Sequence, residues 1–145
     1  MRPEADAGLG YIAQRLLTHV APAVGNDFEV SDVTMIAGLL AAIAQEYDRA
    51  AEIRCQDIEE MRGLFIDAAE ALGHSELGQR LRKLTARQPE SLRIGAINAV
   101  HDAFSNALIE LHARIEEESA DVWAKPLQRR IWQYYRNTAR RHAFE

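Results

Sequence analysis

The sequence is poor in the residues that crosslink or interrupt a chain. It contains one cysteine, Cys55, together with four prolines and eight glycines. A single cysteine cannot form an intrachain disulfide, which is typical of a reducing compartment, so we expect a cytoplasmic protein. The scarcity of proline and glycine leaves room for long uninterrupted helices.

Long hydrophobic runs and excess positive charge are also absent. The most apolar segment, residues 33–44, contains Thr34 and Gly38 and is shorter than the stretch of about 18 residues that reads as a membrane-spanning helix. The net charge is -5. Because affinity for nucleic acid depends on neutralising phosphates with Lys and Arg, we expect no membrane span and no general nucleic-acid binding.

Motifs that carry catalysis or bind cofactors are missing as well. The sequence has no Gly-x-Gly-x-x-Gly or Walker loop, no Gly-x-Ser-x-Gly and no His-Glu-x-x-His. None of its five histidines follows a glutamate at the spacing Glu-x-x-His, which excludes the usual di-iron bundle motif. We therefore predict no catalytic residues, no metal ligands and no cofactor, and no motif identifies a family.

Helical periodicity is what the sequence does contain. Residues 32–72 lack proline, follow Ser31 as a helix cap and stop at Gly73, so they predict one helix of about 60 Å. A compact domain of this size would be only about 40 Å wide. The apolar spacing is displaced between Ala50 and Ile58, where we expect the helix to bend if it bends at all.

Four further helices are predicted, over residues 9–20, 75–87, 89–118 and 126–141. The fourth helix of the chain carries a regular apolar heptad: Ile94, Ile97, His101, Phe104, Leu108, Leu111, Ile115. The predicted fold class is all-α, an elongated up-and-down bundle of four to five helices in which the helix over 32–72 and the heptad helix are antiparallel partners. Residues 1–8 are predicted to be a flexible tail and residues 9–145 one domain.

The predicted length of the second helix favours self-association as a homodimer. Two long helices cannot bury their apolar faces against three short ones, and a strip of small residues would let another helix approach closely: Ala37, Gly38, Ala41, Ala42. The alternative is that this strip fills a tight core within one chain.

Two histidines form the candidate ligand site. His101 interrupts the apolar heptad, and His112 faces the same way but lies about 16 Å further along the helix, too far to share a metal ion. Glu116 lies one turn beyond His112, and Ser105 one turn beyond His101. A small-ligand or metal site between helices would use His101, Ser105, His112 and Glu116, with Glu46 or Tyr47 nearby; the alternative is two structural histidines.

Acidic pairs three residues apart, Asp57 with Glu60 and Asp67 with Glu70, have the spacing by which helical enzymes hold magnesium against phosphate. They lie among arginines, however, so we expect a solvated, ion-paired face.

The last predicted helix interleaves basic and aromatic residues. A partner-binding surface there would use five arginines: Arg129, Arg130, Arg136, Arg140, Arg141. The alternative is that these arginines pair with acids of neighbouring helices.

Three functional hypotheses follow from these patterns. The first is a non-catalytic interaction or structural module that acts as a homodimer, since no complete catalytic set is present. The second is an enzyme or ligand-binding bundle with a site around His101, His112 and Glu116. The third is binding of an anionic partner or nucleic acid through the basic last helix.

Overall fold

The computed structural model describes residues 4–143, and within this range it contains five α-helices and no strand. The helices are α1 (Ala5–Arg15), α2 (Asp27–Ala71), α3 (Glu76–Thr85), α4 (Ile94–Glu117) and α5 (Ala124–Arg141). A π-helical turn (Leu16–Val20) and a short 3-10 helix (Ala21–Ala23) follow α1. The predicted all-α, up-and-down fold is confirmed. Within residues 4–143, no helix is both long and apolar enough to cross a membrane.

The long helix α2 is continuous over its 45 residues. It begins four residues before the predicted cap at Ser31, because the side-chain Oδ1 of Asn26 accepts a hydrogen bond from the backbone N–H of Phe28 at 2.9 Å. It ends as predicted before Gly73, whose φ of 55° lies in the left-handed region that favours glycine.

The described residues form two compact units, 4–50 and 51–143, and the boundary falls inside α2. It coincides with the start of the displaced apolar spacing between Ala50 and Ile58. The prediction of one domain over 9–145 is not tested by this division. Of the predicted tail 1–8, residues 1–3 lie outside the described range and residues 5–8 belong to the first turns of α1.

Residues 51–143 form a four-helix bundle from the second part of α2 with α3, α4 and α5. Side chains at the start of this part of α2 contact the end of α5, and Asp67 further along pairs with Arg130 near the start of α5. These two helices are therefore antiparallel.

The direction of α4 differs from the prediction. Asp57 contacts His101 and Phe65 stacks on Phe104, so α2 and α4 run in the same direction. The predicted antiparallel pairing is wrong because α3 reverses the chain between them: Arg82 of α3 donates a hydrogen bond back to the carbonyl oxygen of Ala69, 2.6 Å away.

The core of this unit is made by the apolar faces that the sequence predicts. Phe65 and Phe104 stack with ring centroids 5.4 Å apart, and the heptad of α4 is buried except at Ile94 and His101. The largest buried apolar side chains are Met61, Leu64, Phe65, Leu81, Ile97, Phe104, Leu111, Ile115 and Ile131. Burying such side chains stabilises the bundle by roughly 1.5–3 kcal/mol each.

The connections of this unit were predicted only in part. Ser75 caps α3 as predicted, accepting a hydrogen bond from the N–H of Gly78 at 3.1 Å. In contrast, α4 begins at Ile94, where the heptad begins, and not at Pro89. The backbone before it is fixed by Arg62, which donates hydrogen bonds to the carbonyl oxygens of Thr85 and Arg87.

Residues 4–50 form a helical hairpin with little core of its own. Asp6 and Ala7 of α1 line the same cleft as Ala44 and Asp48 of α2, so the two helices run antiparallel. The buried side chains of this unit are small: Ala13, Ala37, Ala50. Large apolar side chains point outward instead: Tyr11, Ile12, Leu17, Val20, Phe28, Met35, Ile36, Leu39, Ile43, Tyr47.

Candidate functional site

A buried carboxylate in α2 is the most constrained polar group of the described residues. Asp57 has no solvent exposure and lies among side chains from α4 and α5. The sequence-based prediction that Asp57 and Glu60 belong to a solvated face is therefore wrong for Asp57. Its position follows from the apolar spacing of α2, because Asp57 lies four residues after Ile53 and four before Met61, which are both buried.

The two oxygens of Asp57 accept hydrogen bonds from three side chains at the end of α5. The Nε of Arg141 donates to Oδ1 at 2.7 Å, and the Oγ1 of Thr138 donates to Oδ2 at 2.9 Å. The Nε2 of His142 lies 2.9 Å from Oδ2, and that of His101 on α4 lies 3.5 Å from the same oxygen.

Glu60, one turn further along α2, extends this network. Its Oε2 lies 2.7 Å from the Nη2 of Arg141, and its Oε1 accepts a hydrogen bond from the Nδ2 of Asn137 at 2.6 Å. The Arg141 guanidinium therefore bridges two carboxylates. We call the residues Asp57, Glu60, His101, Thr138, Arg141 and His142 the Asp57 cluster.

The pKa values of the cluster reflect these contacts. Burial alone would raise the pKa of Asp57, but the nearby His101 ring and the hydrogen bonds from His142, Thr138 and Arg141 outweigh it and hold that pKa well below its usual range. Burial would lower the pKa of Arg141, but the hydrogen bonds to Glu60 and Asp57 raise it. Burial, with the nearby charge of Asp57, raises the pKa of Tyr134 to about 12.

This arrangement suits a structural clamp better than a catalytic centre. A general base works best with a pKa near the operating pH, whereas the pKa of Asp57 is held far below it. The Arg141 guanidinium already occupies the position of a counter-ion. Within residues 4–143, no group of three or more His, Cys, Asp or Glu side chains has the geometry to hold a metal ion.

The predicted ligand residues separate into two environments. His101 belongs to the Asp57 cluster. The Nε2 of His112 lies 3.6 Å from the Oε1 of Glu116, and its ring contacts Trp132 and Tyr135 of α5, with centroids 5.7 and 5.9 Å away. Ser105 is half-buried on α4. The ligand-binding role of these residues stays a prediction.

The five arginines predicted to bind a partner also separate. Arg141 is held by Asp57 and Glu60, and Arg130 pairs with Asp67. The remaining members, Arg129, Arg136 and Arg140, are exposed. Partner binding by this helix stays a prediction, and it would depend on these three.

Comparisons of the chain with protein-family models, with curated proteins and with solved structures find no match.

Sequence reasoning treated Asp57 as exposed, and it did not connect Thr138 or His142 with that residue. The signal that could have identified Asp57 is its spacing of four from Ile53 and Met61, which are both buried.

Proposed function

We propose that the chain is a non-catalytic interaction module that acts as a homodimer, and that two copies associate through residues 4–50. The observation that carries this proposal is the contrast inside this hairpin. Its buried side chains are alanines, while ten large apolar side chains are exposed. A helix that is apolar on an exposed face needs a partner to cover it.

The exposed large apolar residues of the first part of α2, within the unit 4–50, lie on one side of the helix. At about 100° per residue, six of them fall within an arc of about 120°. We call this set the α2 stripe: Phe28, Met35, Ile36, Leu39, Ile43, Tyr47. The most exposed is Phe28, at 81%. The buried Ala37 lies about 140° from the centre of this arc, which agrees with its position in the hairpin.

The stripe is large enough for a stable interface. Taking about 200 Å² for a large side chain and the exposed fractions of the six residues, it presents about 700 Å². A standard protein interface buries about 800 Å² on each partner. Tyr11 and Ile12 of α1 are exposed apolar residues of the same unit.

A second copy of the chain is the occupant that this surface fits best. A two-helix hairpin that buries only alanines is half of a four-helix bundle, and a second hairpin supplies the other half. Two-fold symmetry lets the same stripe face itself, so apolar surface meets apolar surface. Between Asp32 and Glu46 every position of the arc is apolar, so the middle of this interface would bury no charge.

The test is sedimentation velocity of Leu39→Glu and Ile43→Glu variants. We expect the wild-type chain to sediment as a dimer and both variants as monomers, because each buries a carboxylate at the centre of the interface. Ile109→Glu on α4 is the matched control, since Ile109 is also exposed but lies in the other unit, and it should remain a dimer. Interfaces of this size have dissociation constants in the micromolar range or below, so a dimer should be populated at about 100 μM chain. A wild-type chain that is monomeric at this concentration would refute the proposal.

We also propose a cytoplasmic location, which is supported by the single, half-buried thiol of Cys55. The alternative of a ligand-binding bundle around His101, His112 and Glu116 has weaker support, because His101 lies beside the carboxylate of Asp57.

A further inference from the structure

The outward side of α5 carries arginines and a tryptophan on one face. Five residues fall within an arc of about 100°. We call this set the α5 basic face: Arg129, Trp132, Gln133, Arg136, Arg140. It is separate from the α2 stripe, since all of it belongs to the unit 51–143.

The arginines of this face are not used by the bundle. Across residues 4–143, no carboxylate lies within salt-bridge distance of Arg129, Arg136 or Arg140, and Arg136 donates one hydrogen bond, to the Oε1 of Gln133 at 2.6 Å. In contrast, Arg130 and Arg141 on the same helix pair with acids of α2. The helix therefore pairs two of its arginines with acids of α2 and leaves the guanidinium groups of Arg129, Arg136 and Arg140 in solvent.

Trp132 lies between these arginines in a fixed position. It is 51% exposed, and its ring makes edge contacts with His112 and Tyr135, with centroids 5.7 and 5.8 Å away. An open cleft of about 540 Å³ is lined by Arg129, Arg130, Trp132, Gln133 and Arg136. An ordered aromatic ring beside unpaired guanidinium groups is the composition that recurs in interface hot spots.

We infer that the α5 basic face binds a short acidic peptide segment that carries an apolar side chain. Arginine guanidinium groups bind carboxylates through paired hydrogen bonds, and the exposed ring of Trp132 offers an apolar contact between them. Arg129 and Arg140 are separated by about 17 Å along the helix, which matches five or six residues of extended peptide at about 3.3 Å each.

A peptide fits these observations better than a nucleic acid. Affinity for nucleic acid grows with the number of phosphates neutralised, and three arginines neutralise few. The chain carries a net charge of -5, which repels a long polyanion more than a short acidic segment.

The experiment measures fluorescence anisotropy of a labelled 12-residue peptide of alternating glutamate and leucine pairs. We expect saturable binding that weakens by about tenfold to a hundredfold in the Arg129→Gln/Arg136→Gln variant, which removes two charge-assisted contacts. Trp132→Ala should weaken binding as well. The Arg87→Gln/Arg93→Gln variant removes the same charge from exposed positions elsewhere and should bind as the wild type does.

Circular dichroism of each variant checks that the helices are retained. Absence of peptide binding to the wild-type chain would overturn the inference. Equal weakening in the Arg87→Gln/Arg93→Gln variant would also overturn it, since the attraction would then be a general effect of charge. Tighter binding of a 12-nucleotide single-stranded RNA than of the peptide would overturn it in favour of a nucleic-acid surface. None of these outcomes bears on dimer formation through the α2 stripe.

Discussion

Arg141 at the end of α5 and Asp57 in α2 form a buried ion pair, with Nη2 and Oδ1 2.5 Å apart, between residues separated by 84 positions in the sequence. Because the carboxylate has no exposure, the ion pair is screened little by solvent. The pair fixes the last turn of α5 to α2 and closes the four-helix bundle at that end.

Removing the carboxylate of Asp57 should therefore destabilise the folded chain. We expect Asp57→Asn to lower the free energy of unfolding by about 3 kcal/mol, at the lower end for a broken buried pair because Arg141 keeps its contact with Glu60. Urea denaturation at a fixed protein concentration measures this change. Asp67→Asn removes the partly exposed partner of Arg130 and should cost at most about 1 kcal/mol. Equal effects of the two substitutions would contradict the structural role of Asp57.

The low pKa of Asp57 predicts how stability depends on pH. Since the pKa is lower in the folded chain than in the unfolded chain, its contribution is fully present above the unfolded value near 4 and is lost as the pH falls toward the folded value. The difference in unfolding free energy between the wild type and Asp57→Asn should therefore shrink as the pH falls below about 4. A difference that does not change down to pH 3 would contradict this assignment.

Two glycines with opposite environments give a matched pair. Gly73 has a φ of 55°, so Gly73→Ala should destabilise the chain by about 1–2 kcal/mol. Gly38 lies inside α2 outside the α2 stripe, and a Cβ there would meet nothing within 4 Å. Gly38→Ala should therefore stabilise the chain by about 0.5–1 kcal/mol. Thermal unfolding of both variants checks the signs, and a stabilising Gly73→Ala would be inconsistent with the left-handed turn.

Two residues of α4, one in the core and one at the surface, should differ in how much their substitution by alanine lowers the stability of the bundle. Phe104 has no exposure and stacks on Phe65, so Phe104→Ala should cost about 3–5 kcal/mol. Ile109 is 65% exposed, so Ile109→Ala should change stability by at most about 0.5 kcal/mol. Chemical denaturation distinguishes these values, and a small effect of Phe104→Ala would mean that the two rings do not form the centre of the core.

Much of the fold could be predicted from local patterns. The heptad of α4 predicts the buried positions from Ile97 to Ile115, because a spacing of three and four residues keeps side chains on one face. Ser75 and Gly73 predict the turn between α2 and α3, because each satisfies a local requirement of the backbone. The direction of α4 could not be predicted in this way, since it depends on how the short α3 packs on its neighbours.

The Asp57 cluster shows why sequence patterns did not identify the most constrained polar group. An acid among arginines on a helix is usually solvated. The side chains whose hydrogen bonds offset the desolvation of Asp57 lie more than 80 positions away in the sequence: Thr138, Arg141 and His142. The exposure of Ile36, Ile43 and Tyr47 could not be predicted from the sequence either, because periodicity identifies an apolar face but not what covers it.

The mass of the wild-type chain in solution tests the central claim most directly. Sedimentation equilibrium over a range of concentrations should give twice the chain mass of 16.3 kDa, with dissociation to the single mass on dilution. A single mass of one chain at every concentration would contradict the claim that a second copy covers the α2 stripe.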